Sequence, residues 1–164
     1  GTMAQEITSY QNTNKRSFLF GVGPQYNQID QNTKLSGGSF FTQSEDDGLA
    51  QVAVIGSDIA EAFFGNDNPL GKNIKIKNQN YKVIGVAEPR GAMAGFNYDE
   101  LIFIPVQTMQ KKILGIDYIR FVMVKAKDEK LIDATAMELI DEMRRLHKIT
   151  DPNKDDFGVL PVVC

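Results

Sequence analysis

The chain has 164 residues, with 42% hydrophobic and 24% charged side chains and a formal net charge of −3. This composition is typical of a globular domain and excludes a disordered or fibrous chain. The longest apolar runs, such as Leu101–Val106, are far shorter than the about 20 residues that cross a bilayer, and the acidic balance gives no field that would attract nucleic acid.

The two ends of the chain carry little information about the fold. Cys164 is the single cysteine, so the sequence contains no internal disulfide. Residues 1–4 lack the charged and apolar parts of a signal peptide, and we interpret them as the remnant of an expression tag that lies outside the fold.

Most of the first two thirds of the chain is predicted to be β-structure. Two pairs of strands predict hairpins, one with its turn at Gln11–Lys15 and one with its turn at Asn78–Asn80. Gly37–Gly38 before Phe40 and Phe41 predicts a tight turn that buries two rings. The predicted strands are, in chain order, Ile7–Tyr10, Ser17–Val22, Gln51–Gly56, Asn73–Lys77, Tyr81–Val86, Leu101–Val106, Tyr118–Lys125 and Phe157–Val163.

Apolar residues at helical spacing predict three helices. The first has Asp58 as its N-cap and Glu61 as the capping partner, and it ends at Gly65. The second covers Thr108–Leu114, and the third and longest covers Leu131–Ile149. Because the apolar residues of the long helix repeat about every 3.6 residues, that helix is expected to cover a sheet.

The last third of the chain is therefore predicted to be a β-α-β unit over residues 118–163. The sheet should include Phe121 and either Val122 or Val124. His147, on the polar side of the helix, should stay at least partly exposed. The helix residues expected to face the sheet are Ile132, Leu139, Ile140 and Met143.

Two glycine motifs depart from the patterns that phosphate binding requires. Gly65–Lys72 has five residues between its glycines and is followed by Asn73, where a P-loop has Ser or Thr. Gly21–Gly23 lacks the third glycine of a dinucleotide fingerprint, and Pro24 would interrupt the helix that should follow. No nucleotide site is predicted.

Ser57 and His147 are the pair from which a hydrolase could be assembled. Ser57 follows a strand and opens a helix, but the second glycine of a nucleophile elbow is missing, and helix capping is the more common role. His147, the single histidine, interacts favourably with the dipole at the end of the long helix. Carboxylates at Glu45–Asp47 and Asp155–Asp156 lie in predicted loops. We assign no catalytic residue, no metal ligand and no cofactor.

The loop Arg90–Tyr98 is the candidate functional surface. It combines small flexible residues with Met93, Phe96 and Tyr98, a composition typical of adaptable contact surfaces. We predict a partner-contact loop formed by Arg90, Met93, Phe96 and Tyr98. The alternative is that Phe96 and Tyr98 fold back to cover the end of a sheet.

Four lysines, Lys72, Lys75, Lys77 and Lys82, surround the second hairpin. A partner with an acidic surface could use them. The competing interpretation is a solvated strand face, or an edge strand that charge protects from aggregation.

Val52–Pro89, followed by Leu101–Val106, resembles the extracytoplasmic core domain of MacB-like ABC transporter permeases. The shared order is a strand, a helix ending in Phe-Gly, Asn-Pro-Leu-Gly-Lys, a hairpin containing Tyr-Lys-Val-Ile-Gly-Val, a mobile loop and a strand ending in Ile-Pro. Gly38–Thr42 is similar to Gly-Arg-Phe-Phe-Thr of that family, with Ser39 in place of the arginine. The resemblance is clear over residues 17–125 and continues by pattern to residue 163.

The resemblance implies an α+β fold in two parts. In that family the domain lies between the first two transmembrane helices of a permease subunit and combines a β-rich Sabre part with an α/β Porter part. Residues 5–116 would be a Sabre-like β-rich subdomain with a short helix, and residues 117–164 a Porter-like β-α-β half. The first Porter half, the membrane segments and the ATPase domain are not in the sequence.

The resemblance also implies a non-enzymatic function in the periplasm, as a domain of an inner-membrane protein. Cytoplasmic ATP hydrolysis moves such domains, which act on substrates or partner proteins outside the inner membrane. Expected partners are an adaptor or other periplasmic protein and a second permease subunit. A long insertion in the second hairpin is the chaperone hook of lipoprotein-releasing members, so the short turn here favours export or signalling. The alternatives are a small periplasmic hydrolase using Ser57 and His147, or a stand-alone binding or scaffold module.

Overall fold

The computed structural model describes residues 1–93 and 95–161. The chain divides into two compact units, the first covering Gly1–Met123 and the second beginning at Val124, a few residues after the boundary predicted from the sequence. The first unit is β-rich, and the second contains one long helix. The predicted α+β class is confirmed.

The first unit contains nine strands among the described residues, with short helices between some of them. The strands are β1 (Thr2–Tyr10), β2 (Thr13–Val22), β3 (Leu35–Gly38), β4 (Val52–Ile55), β5 (Asn73–Ile76), β6 (Gln79–Ala87), β7 (Ala92–Met93), β8 (Phe96–Asn97) and β9 (Leu101–Pro105). The helices are α1 (Tyr26–Ile29), α2 (Gln43–Asp47), α3 (Ser57–Phe64) and α4 (Val106–Thr108), with a 3₁₀ turn at Tyr98–Glu100 and a π-helical segment at Met109–Leu114.

Seven of these strands form one sheet that closes on itself. The order is β3-β6-β4-β9-β2-β1-β5, and β5 pairs with β6 as well as with β1. Closure is possible because one edge of β6 is shared between two strands: residues 79–82 pair with β5, and residues 85–87 pair with β3, while β4 pairs along the other edge. As a result β5 is hydrogen-bonded on both sides, and it is not an edge strand.

Two clusters of buried side chains form the core of the first unit. The interior of the closed sheet is lined by alternate residues of its strands and covered by α3 and the π-helical segment. A second, aromatic cluster surrounds Phe103; in it Phe41 is buried and Phe40 is half-buried, with ring centroids 4.3 Å apart. The prediction of a tight turn that buries two rings holds only for Phe41, because Gly37 and Gly38 belong to strand β3 and Phe40 stays partly exposed. The completely buried aliphatic and aromatic side chains include Leu19, Ile55, Ile59, Ile74, Tyr81, Val83, Ile102 and Ile104.

Both predicted hairpins form, with tighter turns than the sequence indicated. Gln11 and Asn12 connect β1 to β2, and Lys77 and Asn78 connect β5 to β6. Lys77 and Asn78 have positive φ angles of 49° and 62°, a geometry that matches the twist of the flanking strands. Gln79, predicted in the turn, is therefore the first residue of β6.

The N-terminal residues belong to the fold, so the expectation that residues 1–4 lie outside it is wrong. Thr2 is completely buried and pairs with Gly21, and the register with β2 is continuous from there to Tyr10. Alternate residues of β1 point into the closed sheet, and Thr2 and Ala4 continue this pattern toward the start of the chain. The strand therefore begins before Ile7.

Helix α3 begins one residue after Gly56, so Asp58 is not its N-cap and Ser57 does not cap it either. The N-cap is Gly56 because the backbone around Asp99 and Leu101 lies close to it. The Gly56 N–H donates to the Leu101 oxygen at 2.8 Å, and a Cβ at Gly56 would lie 2.3 Å from the backbone oxygen of Asp99. The predicted end at Gly65, with φ of 57°, is confirmed.

The second unit contains helix α5 (Ile132–His147), preceded by a 3₁₀ turn at Glu129–Leu131 and followed by one at Pro152–Lys154. Its predicted flanking strands are not observed: residues 118–125 and 157–161 are not strands, and Val162 and Val163 lie outside the described residues. A strand needs a hydrogen-bonded neighbour. Among the described residues, the only backbone–backbone hydrogen bonds of residues 118–125 are with Gly1: the Arg120 and Phe121 N–H groups donate to the Gly1 oxygen, and the Gly1 ammonium donates to the Phe121 oxygen.

The prediction that α5 covers a sheet is consequently wrong for the described part of the chain. The residues expected to face the sheet, Ile132, Leu139, Ile140 and Met143, are all half-buried. His147 is exposed, as predicted, and its Nδ1 lies 2.7 Å from a carboxylate oxygen of Asp156. Within residues 1–93 and 95–161, no helix combines the length and apolarity required to cross a membrane.

Candidate functional site

The candidate loop is a small hairpin that stands apart from the closed sheet. Among the described residues, strands β7 and β8 pair only with each other, with Ala92 opposite Asn97 and Met93 opposite Phe96. Cross-strand partners point to the same face, so Met93 and Phe96 are side by side. Their exposed fractions are 37% and 42%, and we call this pair the apolar tip.

Hydrogen bonds from one carboxylate hold the base of the hairpin together. The two oxygens of Asp99 accept the backbone N–H groups of Arg90, at 2.7 Å, and Gly91, at 2.8 Å. The backbone N–H of Tyr98 donates to the Gly91 oxygen at 3.1 Å, and the Asn97 side chain accepts the N–H of Asp99. Both strands of the hairpin are therefore fixed where they leave the rest of the unit.

Arg90 connects this base to the segment around α1 through a buried ion pair. Its Nη1 lies 2.6 Å from Oδ2 of Asp30, and the two side chains are 12% and 4% exposed. The same Asp30 oxygen accepts the hydroxyls of Tyr26, at 2.9 Å, and Thr33, at 3.0 Å. The ring of Tyr98 lies 3.8 Å from the guanidinium carbon of Arg90, a cation–π contact.

Asp30 and Arg90 both favour their charged forms, although both side chains are largely buried. Burial by itself raises the pKa of the Asp30 carboxyl, but the hydrogen bonds from Arg90, Tyr26 and Thr33 outweigh burial and hold that pKa below its usual range. Burial likewise lowers the pKa of Arg90, and the hydrogen bond and charge of Asp30 more than reverse that effect. Burial and the neighbouring carboxylate raise the pKa of Tyr26, so Tyr26 remains a neutral donor.

Glycines give the hairpin its backbone geometry. Gly91 and Gly95 have φ angles of 76° and 84°, which L side chains rarely adopt, and a Cβ at either position would meet no described atom within 4 Å. The conformation, and not steric exclusion, is what requires glycine there.

The cleft beneath the hairpin is too small for a ligand. It is lined by Thr33, Arg90, Tyr98 and Phe103, among others, and has a volume of about 10 Å³, the space of one water molecule. Met93 and Phe96 of the apolar tip are partly exposed, whereas the Arg90 side chain at the base of the hairpin is largely buried.

The structure divides the four predicted contact residues into two pairs. Met93 and Phe96 form the apolar tip, while Arg90 and Tyr98 belong to the base. The alternative in which aromatic residues fold back holds for Tyr98, which packs beside the aromatic cluster. Nothing in the sequence pointed to Asp30, which lies 60 positions from Arg90; Asp99 was detectable only as an Asp two residues after an Asn, a common turn signal.

The hydrolase alternative finds no support in the geometry of its two residues. The Ser57 Oγ is buried, and no described residue offers it a hydrogen-bond partner. His147 contacts Asp156 and the ring of Phe157. Among the described residues, no group of three His, Cys, Asp or Glu side chains lies close enough to hold a metal ion.

The comparisons with known proteins agree with the resemblance. The model of the MacB-like periplasmic core domain family matches residues 1–142. The macrolide export ATP-binding/permease protein MacB of Bdellovibrio bacteriovorus is 32% identical over 148 residues, which are 90% of this chain and 23% of that protein. The pyoverdine export ATP-binding/permease protein PvdT of Pseudomonas aeruginosa is 29% identical over 87% of this chain and 21% of its own length.

Solved structures show the same fold. The periplasmic region of MacB from Actinobacillus actinomycetemcomitans aligns with a TM-score of 0.71 at 26% identity, over 90% of this chain and 65% of that one. The extracellular domain of the ABC-type transporter YknZ from Gram-positive bacteria has the same fold, with a TM-score of 0.70 at 19% identity over 90% of this chain and 73% of that one. The chain spans about a quarter of the length of the curated relatives it matches. With a family model that covers most of its residues and relatives that are ABC transporter permeases, the chain belongs to the MacB-like periplasmic core domain family.

Proposed function

We propose that this domain transmits cytoplasmic ATP hydrolysis to substrate export outside the inner membrane, and that the apolar tip is a surface through which it contacts a partner protein. The domain itself carries no catalysis, and the ATPase belongs to another domain or subunit. The partner is an adaptor or other periplasmic protein, or a second permease subunit. The observation that carries the proposal is an exposed Met93–Phe96 pair on a hairpin whose base is fixed by buried polar contacts.

The apolar tip is exposed, and its base is firmly attached to the rest of the unit. Two large apolar side chains in water gain free energy when a partner covers them, about 25 cal/mol for each Å² removed from water. A contact that transmits movement also needs a firm attachment, since a freely rotating loop would absorb the movement. The hydrogen bonds of Asp99 and the Arg90–Asp30 ion pair provide that attachment.

Export is favoured over lipoprotein transfer because of the second hairpin. Its connection consists of Lys77 and Asn78 alone, too short for the hook that the lipoprotein-releasing members use. Macrolides are the first substrates to test, since several relatives are named for macrolide export. A stand-alone scaffold module would have no ATP-dependent output, so a measurement of macrolide resistance separates it from the proposal.

The test replaces the apolar tip in the full-length parent protein, in cells whose macrolide resistance depends on that parent. Met93→Ser with Phe96→Ser should lower resistance and weaken partner binding at least about tenfold, because truncating an anchoring aromatic side chain typically costs about 2 kcal/mol or more. Basal ATPase activity should stay unchanged.

Ala92→Ser is the matched control. Ala92 is exposed in the same hairpin, but adjacent strand residues point to opposite faces, so this change leaves the tip intact. Normal resistance with the double variant would refute the contact role of the tip. A double variant that unfolds would show that the two side chains are core residues, and this would also refute the proposal.

A further inference from the structure

The four lysines around the second hairpin differ in their surroundings. Lys72 lies 4.0 Å from Asp67 and 5.5 Å from the centroid of the Phe64 ring. Lys77 pairs with Glu6 at 3.3 Å and donates to the Ile113 oxygen at 3.0 Å. Within the part of the chain that the structure describes, Lys75 and Lys82 have no carboxylate within salt-bridge distance.

The strand registers place these two lysines on one face with a third cation. Arg16 pairs with Ile7, and Lys75 pairs with both Ser9 and Asn80. Lys82 pairs with Asn73 in the same ladder. Directly paired residues share a face, so the outer surface of β2, β1, β5 and β6 carries three cations. We call it the basic face, and its members are Ile7, Ser9, Asn14, Arg16, Asn73, Lys75, Asn80 and Lys82.

Edge protection does not explain these charges. Lysines on an edge strand prevent pairing with another chain, but β5 is hydrogen-bonded to β1 on one side and to β6 on the other. Arg16 and Lys82 are exposed, and none of the eight members of the face is acidic. In a chain whose net charge is −3, the basic face therefore has the opposite sign to the molecule as a whole.

An open groove of about 340 Å³ borders the basic face. Lys75, with the hydroxyl of Ser9 and the amides of Asn14 and Asn78, supplies hydrogen-bond donors, and Ile7, 63% exposed, supplies an apolar surface. Lysine ammonium, amide and hydroxyl donors bind carboxylate oxygens. A groove admits a protruding side chain, whereas the surface of a bilayer is flat. The remaining lining residues are Glu6 and Lys77, which pair with each other.

We propose that the basic face and its groove bind a segment of a partner protein that presents Asp or Glu side chains beside an apolar residue. The carboxylates contact Lys75 and Arg16, and the apolar residue contacts Ile7. This surface is formed by strands of the closed sheet, and its occupation does not depend on the apolar tip.

The test is an NMR titration of this chain with a short peptide of glutamates around one leucine. The matched probe is the same peptide with every Glu replaced by Gln. The Glu peptide should shift the amide signals of Ile7, Ser9 and Lys75, and the Gln peptide should not. Raising the ionic strength from about 0.01 M to about 0.15 M shortens the Debye length from about 30 Å to about 8 Å and should weaken binding at least about threefold.

Variants then locate the site. Lys75→Gln with Arg16→Gln should lower the affinity of the chain for the Glu peptide at least about fivefold. Lys34 is exposed and lies outside the face, so Lys34→Gln should leave that affinity unchanged. Equal shifts from the Glu and Gln peptides, or equal losses from the two variants, would overturn the proposal. Binding to anionic phosphatidylglycerol vesicles with no binding of the Glu peptide would overturn it as well, because it would identify a lipid surface as the occupant.

Discussion

Removing the charge of Asp30 should destabilise the first unit far more than removing the charge of an exposed carboxylate. Asp30→Asn keeps the shape of the side chain but leaves the Arg90 guanidinium, 12% exposed, without its counterion. Breaking a buried ion pair by removing one partner typically costs about 3–5 kcal/mol. The amide also replaces one acceptor oxygen at a site where Arg90, Tyr26 and Thr33 all donate. We therefore expect the free energy of unfolding to fall by about 3 kcal/mol or more.

Urea denaturation followed by tyrosine fluorescence measures this loss, because all five tyrosines of the chain lie in the first unit. Asp67→Asn is the matched control. Asp67 is 82% exposed and 4.0 Å from Lys72, so its loss should change the free energy of unfolding by less than about 1 kcal/mol.

A double variant tests whether the loss of stability comes from the unpaired charge of Arg90 or from any change at position 30. Asp30→Asn combined with Arg90→Gln removes both charges and should recover part of the lost stability, since replacing both members of a buried pair is often close to neutral. A cost of less than about 1 kcal/mol for Asp30→Asn alone would refute the reasoning, because the ion pair could not then be a firm attachment for the hairpin.

The remaining predictions concern pH, the core, a close contact and an unpaired segment. Because the folded pKa of Asp30 is lowered, the stability difference between wild type and Asp30→Asn should be complete above about pH 4 and shrink as the pH falls further; a difference that persists unchanged at about pH 2 would contradict this. Tyr81→Phe should leave the free energy of unfolding unchanged or raise it by about 1 kcal/mol, because the buried hydroxyl has no described partner; a loss larger than about 1 kcal/mol would contradict it. Gly56→Ala should cost about 1–3 kcal/mol, since its Cβ would lie 2.3 Å from the Asp99 oxygen, and an unchanged denaturation midpoint would refute that contact. The Val122 amide should exchange with solvent much faster than that of Ile55, and strong protection of Val122 would reveal a strand pairing.

The sequence predicted well wherever a short stretch determines its own structure. The pattern of residues 73–86 predicted the second hairpin, and the alternate residues Ile74, Ile76, Tyr81 and Val83 of its strands are completely or almost completely buried. The glycine at the end of α3 was equally informative, because its positive φ is a local requirement. Such features depend on neighbours in the chain, which periodicity detects.

The predictions that failed depend on distant partners. Tyr118–Lys125 has the composition of a strand, but strand formation requires a second strand beside it, and no described segment supplies one. Asp58 looked like an N-cap because the sequence does not reveal that the backbone of Asp99 approaches Gly56. For the same reason the buried pair of Arg90 with Asp30 was not detectable, and Arg90 was expected to be a contact residue and not part of the base.

Site-specific photo-crosslinking in the full-length parent tests the central claim most directly. A photoreactive phenylalanine analogue at position 96 should form covalent adducts with an adaptor, another periplasmic protein or a second permease subunit in intact cells. The same analogue at Asp67, which is more exposed than the tip, should form none. Adducts at position 96 that disappear with Met93→Ser are the predicted result. No adduct at position 96, or equal adducts at positions 96 and 67, would contradict a partner-contact role for the apolar tip.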